Sequence, residues 1–365
     1  MAIVGAGIAG ASLAAELAAH GSVLILEAEG QPGYHSTGRS AAFWSESYGG
    51  PAIRPLTAAS GPFLAAPPAD FADAPFLGAR GAIHIADAAG RPALDRLAGS
   101  FAGTSLFVPL DRAALEQAIP GLRPGWNAGL AEPSCRDIDV AALHAACLKR
   151  ARVGGARLVT EARVEGLSHD RGWRIETRAG AYTADIIVNA AGAWADDLAR
   201  LAGETPLGIQ PYRRTIAQLR VDPPAPAALP LVIDARGRFY FKPEAGGRLW
   251  LSPHDETACK AQDCAAEEED VALAIDRLEG VVDCRIEAVE RRWAGLRSFA
   301  PDRLPVYGFS PGGRGFFWCA GQGGFGIQTA PAAAKLAAAL LTGSSPDPMV
   351  AAIDPAPYLA TRFAA

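Results

Sequence analysis

The first thirty residues limit the architecture more than any other stretch of the chain. Ala2-Ile3-Val4 is a short apolar run, Gly5-Ala6-Gly7-Ile8-Ala9-Gly10 is a glycine turn, and residues 11–20 have helical composition. Residues 22–26 form a second apolar run that ends on the acid Glu27. The order is strand, turn, helix, strand, and the unbroken apolar character of the runs predicts parallel strands covered on both faces. In a G-x-G-x-x-G turn of this kind Gly5 permits the tight turn, Gly7 lets the backbone approach a pyrophosphate, and Gly10 lets helix and strand pack closely. Ile8 and Ala9 open the helix, whose free N–H groups and partial positive charge point at the phosphates. Glu27 stands where a carboxylate meets ribose hydroxyls, which favours an adenosine without a 2′-phosphate. The motif leaves FAD and NAD both open. The first strand is unusually short, as expected if a few residues precede Met1.

The totals narrow the class. A chain of 365 residues allows two or three domains and a large core. The formal net charge of −5 argues against a nucleic-acid or anionic-membrane partner. Six cysteines scattered along a long chain read as reduced thiols rather than a disulfide framework. His254, Cys259 and Cys264 match none of the usual zinc spacings, so no metal is expected. The N-terminus lacks the pattern of a secretory signal, and no apolar run reaches the ~18 residues of a spanning helix. The expected location is the cytoplasm, with membrane association only through an electron acceptor.

Further along, the reading alternates between sheet types. Residues 51–130 are rich in Pro, Ala and Gly with short strand-like runs such as 82–85. A helix is expected over 139–148 and a strand at 157–159. Residues 164–167, 173–178 and 181–183 alternate apolar and polar, as half-exposed antiparallel strands do. Residues 184–189 form a buried-strand pattern ending in Ala190-Ala191-Gly192. Residues 238–242 and 248–252 read as paired strands about Gly246-Gly247, 264–278 as an acidic helix, 287–293 as a strand, 315–320 as a strand, and 331–341 as a helix closed by Gly343. The nucleotide-binding pieces thus occupy 1–55, 139–206 and 291–365, and a second unit is built from 56–138 and 207–290. The expected fold is α/β: a Rossmann-like dinucleotide domain carrying an inserted antiparallel-sheet, α+β substrate domain.

Five motifs occur in a telling order: the N-terminal turn, His35-Ser36-Thr37-Gly38-Arg39-Ser40-Ala41-Ala42, Asn189-Ala190-Ala191-Gly192-Ala193-Trp194, Trp293-Ala294-Gly295-Leu296-Arg297-Ser298, and Gly321-Gln322-Gly323-Gly324-Phe325-Gly326-Ile327-Gln328. Together they resemble the D-amino-acid oxidase/glycine oxidase superfamily of FAD enzymes, and within it the bacterial D-amino acid dehydrogenases of the D-arginine dehydrogenase type. The resemblance covers nearly the whole chain and is weakest in 56–135 and 253–290. It implies non-covalent FAD. Gly5, Gly7, Gly10 and Glu27 match the adenine-dinucleotide site. Ser36, Thr37, Arg39, Ser40 and Ala41 match the loop beside the pyrophosphate and flavin ring. Val164 matches a backbone contact to adenine, Ala191, Gly192 and Trp194 the passage for the dinucleotide, and Gly324, Gly326, Ile327 and Gln328 the loop under the flavin pyrimidine.

The resemblance also implies a substrate side. Arg297 matches a guanidinium fork that holds a carboxylate, where a surface ion pair is the plainer alternative. Tyr240 matches a second carboxylate contact and Tyr48 a residue on a mobile loop near the substrate; core packing is the plainer fate of either. The implied reaction is hydride transfer from the Cα of a D-amino acid to flavin N5, after which the imino acid hydrolyses to a 2-oxo acid and ammonia. No side-chain general base is assigned, His35 and His84 being the nearest candidates. Relatives that take basic D-amino acids carry an acid where this chain reads 80–84, and a His where it has Phe43 followed by Trp44. Both departures favour a small or apolar side chain. Glycine or sarcosine oxidation, 2-hydroxy acid oxidation and a non-catalytic flavin subunit remain alternatives, and the electron acceptor (quinone, carrier or O₂) is open.

Overall fold

The computed structural model describes residues 1–363. A six-stranded sheet runs in the order Val306–Phe309, Phe316–Ala320, Ile187–Asn189, Ala2–Val4, Leu24–Leu26, Arg157–Val159. All neighbours are parallel except the first pair. Side chains alternate across it as the strand period demands. Ile3, Ile25, Val188 and Phe317 face the helices Ile8–Leu17 and Ala330–Thr342. Ala2, Val4, Leu26, Ile187 and Trp318 face Trp173 and Ile175 of an antiparallel sheet, Val164–His169, Trp173–Thr177 and Gly180–Ala184. Buried on both sides, these strands carry the unbroken apolar runs seen in the sequence.

The second unit is a nine-stranded sheet. Its spine is the long pair Gln210–Asp222 and Arg285–Phe299, antiparallel over their whole lengths. Arg248–Ser252, Tyr240–Glu244, Leu231–Asp234, Ala82–Ala86, Ala128–Glu132 and Val108–Leu110 continue it, and the short Thr257–Ala258 pairs with the first spine strand. A small fourth sheet ties Phe43–Trp44 and Leu77–Ala79 to Arg136–Ile138.

The expected mixed α/β fold is the one observed, with several local differences. The buried run read as 184–189 is a strand only over Ile187–Asn189, because 180–184 closes the antiparallel sheet. The acidic helix starts at Glu268, where Glu268, Glu269 and Asp270 sit at its N-terminal pole. The stretch 51–130 holds three helices that the sequence did not announce: Arg54–Ala65, with Pro62 inside it, Arg91–Ser100, and Arg112–Ala118, capped by Asp111. The strand Gln210–Asp222 also went unread. The boundary expected at 291 falls within Arg285–Phe299, so Arg297 rides on the substrate sheet and projects to the dinucleotide side. Among the described residues no helix is long and apolar enough to cross a membrane.

Candidate active site

The glycine turn is built as its spacing requires. Gly5 has φ 104°, a conformation that side chains resist. A Cβ on Gly10 would overlap the Gly5 carbonyl oxygen, so only glycine lets the helix lie this close to the strand. Gly7 is the N-cap of Ile8–Leu17 and has no side-chain cap. Glu27 is buried; its carboxylate accepts from Ala6 N–H at 2.7 Å and Glu29 N–H at 3.0 Å. Two backbone donors leave lone pairs over for hydroxyls, since a carboxylate has about four acceptor sites.

A cavity of about 380 Å³ starts at this turn and runs the width of the sheet edge. It gathers Gly5, Gly7, Ile8, Ala9, Glu27, Ser36, Thr37, Ser40, Val164, Ala191, Gly192, Trp194, Arg297, Gly324, Gly326 and Ile327, all anticipated. It is also walled by residues the sequence did not single out, among them Glu29, Arg163 and Gln322. Four anticipated cofactor residues line no part of it: Ala41 and Gln328 wall a smaller chamber beside it, and Gly10 and Arg39 line neither space. Gly10 packs beneath. Arg39 turns away: it pairs with Asp263 at 2.6 Å and donates to the Cys264 and Ala294 carbonyls at 3.0 and 3.2 Å. Its guanidinium therefore ties the 33–42 loop to the strand that bears Arg297. The loop hydroxyls mostly tie the loop to its neighbours. Thr37 accepts from Ile8 N–H at 3.0 Å and keeps its own hydrogen to donate, Ser36 donates to the Leu296 carbonyl at 2.6 Å, and Ser40 accepts from Ala42 N–H at 3.1 Å.

A smaller chamber of about 20 Å³ adjoins the cavity. Its walls are Ser40, Ala41, Ala42, Phe43, Tyr48, Tyr240, Arg297, Gly324, Ile327 and Gln328. Phe43, Tyr48 and Tyr240 form an aromatic corner, with Phe43 5.2 Å and 6.2 Å from the two tyrosine rings. Tyr48 also packs on Phe325, and its hydroxyl lies beside Arg297 and over Gly324. Among the described residues, the buried Arg297 Nε and Tyr240 hydroxyl have no hydrogen-bond partner. The Gln328 amide, by contrast, is spent: it accepts from Ser45 N–H at 3.2 Å and donates to the Tyr48 carbonyl and Thr57 Oγ1 at 3.1 and 2.9 Å.

Arg214 was missed in the sequence because the strand carrying it was missed. It faces Gly295 across the long strand pair, two residues from Arg297. It is buried, donates to the Asp255 carbonyl at 2.7 Å and Glu256 at 3.1 Å, and keeps Nη1 unpartnered. Burial, then the Arg297 charge, lowers its pKa. Arg214 is thus compensated in part by Glu256, while its Nη1 and Arg297 Nε are left free for a further acceptor.

His254 stands against Tyr240, ring centroids 5.6 Å apart, with Nδ1 2.9 Å from the Gly237 carbonyl. Only a hydrogen on Nδ1 serves that contact, so Nε2 is bare. Burial first, then Arg214 and Arg297, pushes its pKa down to about 3 from 6.5. The unfolded chain therefore binds a proton that the folded chain refuses between those values. Stability is undiminished above 6.5 and is lost as pH falls through that window. His254→Gln protein is expected to lose less thermal stability than wild type between about pH 7 and about pH 5. Equal losses would contradict this account.

His35 and His84 do not face the chamber. His35 lies 2.9 Å from Glu29 on the wall of the larger cavity, against Trp194. His84 lies behind the chamber, 3.3 Å from the Ser47 hydroxyl. The stretch 80–84 carries no acid, as read, but the strand paired with it does: Glu132 lies opposite Ala82 and is fully buried. Cys319 is buried in its strand, its thiol pushed up to about 12, and lines neither space.

A glycine cradle for a dinucleotide, opening on a small chamber with an unpaired guanidinium, defines a dinucleotide-dependent oxidoreductase. The family is more specific. The FAD dependent oxidoreductase (DAO) family matches residues 1–340, and the chain belongs to it. It is 30% identical to a glycine oxidase of Pseudomonas putida over 257 residues, 68% of this chain and 66% of that protein. It is also 30% identical to a glycine oxidase of Pseudomonas aeruginosa, over 68% of this chain and 67% of that one. The chain thus spans about two thirds of the length of these curated relatives. The glycine oxidase structure from Geobacillus kaustophilus superposes with a TM-score of 0.85 at 25% identity, covering 99% of this chain and 98% of that one. The cofactor is FAD, and the activity class is FAD-dependent oxidation of an amino acid-like amine. These similarities reach the family and not the D-arginine dehydrogenase subgroup.

Proposed function

We propose that the protein oxidises a small amino acid whose carboxylate is held by Arg297, Arg214 and Tyr240. The observation that carries this is the set of unpartnered donors: Arg297 Nε and the Tyr240 hydroxyl on the walls of one chamber, and Arg214 Nη1 on the strand paired with the one that bears Arg297. A carboxylate is the planar, charged acceptor that a guanidinium fork fits bidentately. When bound, FAD supplies the two-electron acceptor for the substrate Cα–H. The chain's part is orientation: the clamped carboxylate fixes the Cα, and the aromatic corner excludes water from it. The neutral His254 adds no competing positive charge. Non-covalent attachment is supported by the inert, buried Cys319.

The chamber walls, mostly aromatic and small residues with no acid among them, support small or apolar substrates: glycine, an N-methylated glycine, or a D-amino acid with a small apolar side chain. The acids near 80–84 line neither space: Glu132 is committed to other contacts and Asp137 is paired with Arg80 and Lys242, which argues against a basic side chain. The experiment is anaerobic bleaching of the flavin band by glycine, sarcosine, D-alanine, D-leucine, D-arginine, L-alanine and glycolate. The expected result is fast bleaching by one or more of the first three, with D-arginine the slowest D-amino acid. Acid precipitation should leave the colour in the supernatant. Bleaching by glycolate alone, or equal rates with D-arginine and D-leucine, would overturn the proposal, and readmitted air separates oxidase from dehydrogenase.

A further inference from the structure

Glu132 is the last residue of the strand Ala128–Glu132 and has no exposed surface. Four of the hydrogen bonds its carboxylate accepts come from the three residues before Tyr48, and His84 Nε2 stands 3.9 Å from it. The four donors are the Ser45 hydroxyl at 2.9 Å, Glu46 N–H at 2.7 Å, Ser47 N–H at 3.4 Å and the Ser47 hydroxyl at 2.5 Å. The two serine hydroxyls lie 3.1 Å apart, and His84 Nε2 is 3.3 Å from the second. Burial alone would raise the Glu132 carboxyl, but hydrogen bonds from His84, Ser47 and Ser45 outweigh it and hold it below the usual carboxylate range. It is therefore a buried anion, and no Lys or Arg side chain donates to it.

A buried charge satisfied chiefly by a loop is costly to keep and strongly dependent on that loop's conformation. The same segment is gripped from the other side by Gln328, through Ser45 N–H and the Tyr48 carbonyl. Beyond this double grip the chain offers little: Tyr48 N–H reaches the Ser45 carbonyl at 3.3 Å, and Gly49 and Gly50 follow, both at positive φ. Tyr48 in turn is the side chain that meets Phe43, Phe325, Gly324 and Arg297 at once.

We propose that Glu132 is a positioning residue of the substrate chamber: through Ser45 and Ser47 it holds Tyr48 against Arg297, so that the carboxylate of the substrate meets a preformed site. This rests on reading the chamber as the substrate site. The anchor lies on the substrate sheet and the second grip, Gln328, on the flavin-side loop, so the Tyr48 segment pins the two units together where substrate enters.

The test uses FAD-loaded wild type, Glu132→Ala, Glu132→Gln and Ser47→Ala. Ser47→Ala removes the loop's shortest contact while leaving the carboxylate in place, and so guards against a Glu132 variant that fails to fold. Amide hydrogen exchange of residues 43–53 should quicken at least about tenfold in the alanine variants and less in Glu132→Gln, with residues 2–10 and 187–194 unchanged. Acetate, a bare carboxylate read by the flavin absorbance, should bind at least about tenfold more weakly. In a Tyr48→Phe background Glu132→Ala should weaken acetate less than it does alone, because both act through one contact. Unchanged exchange in 43–53, or exchange that quickens equally everywhere, overturns the proposal. Failure of wild type to bind acetate counts against the chamber reading, and the exchange result then judges Glu132 independently.

Discussion

Arg297→Ala should lower kcat/KM by roughly 30-fold to several thousand-fold, the range that about 2–5 kcal/mol for a truncated buried charge contact implies. The flavin should stay bound with an unchanged spectrum, because the glycine turn, Glu27 and the 33–42 loop are assembled without this side chain. The loss falls on substrate orientation, so it should appear in the rate of anaerobic flavin reduction and in the affinity for acetate. Arg297→Lys keeps the charge but offers a point donor in place of a planar fork, and should recover only part of the loss. Arg214 is the second half of this argument. It stands on the neighbouring strand with a free Nη1 and is the less exposed of the two, so an alanine there removes one guanidinium and relieves the other of a like charge. A variant that loses flavin together with activity would mean that Arg297 serves the cofactor site and that the chamber reading fails. A variant with wild-type kcat/KM would mean that the substrate carboxylate goes elsewhere.

How much of this was legible depended on how far apart in sequence the partners lie. The dinucleotide cradle is local: glycine spacing, helix composition and Glu27 occupy thirty residues, and each glycine answers to a backbone approach that a side chain would block. The adjoining lining residues came from motif resemblance, and nearly all of them line one cavity. The failures have physical causes. Arg39 sits in a motif beside the cavity, yet an arginine takes whatever carboxylate and carbonyls lie within its long reach, and Asp263, Cys264 and Ala294 are brought there only by the fold. Gln328 faces the same difficulty, since its partners Ser45, Tyr48 and Thr57 lie some 270–280 residues away. Arg214 was invisible because Gln210–Asp222 mixes charged, polar and apolar residues without a clean period of two; one face is shared with Arg297 and the other with Leu296 and the helix Glu268–Glu279. Glu132 was invisible for a related reason. An acid was sought in 80–84 itself, and it lies on the strand paired with it.

The second large effect concerns the cradle and separates packing from cofactor approach. Gly10→Ala should yield protein with little or no flavin and a stability loss of at least about 3 kcal/mol, the upper range for overpacking a dense core. The reason is that its Cβ would overlap a backbone oxygen, that of Gly5, and would also press on Ile3, so neither can step aside without moving the helix off the sheet. Gly7→Ala is the informative contrast. Gly7 has φ −70°, which alanine adopts freely, and its Cβ would meet only Thr37 Oγ1 at 3.2 Å. That protein should fold with nearly wild-type stability as the apo form, yet bind FAD at least about tenfold more weakly, since the methyl stands where the backbone must approach the pyrophosphate. Thermal melts of apo and FAD-loaded protein, with flavin fluorescence titration, check both. If Gly7→Ala binds FAD as wild type does, the pyrophosphate does not lie over this turn. If Gly10→Ala keeps both its flavin and its melting temperature, the helix can shift more than the close contact with the sheet allows, and the packing argument for the third glycine is wrong.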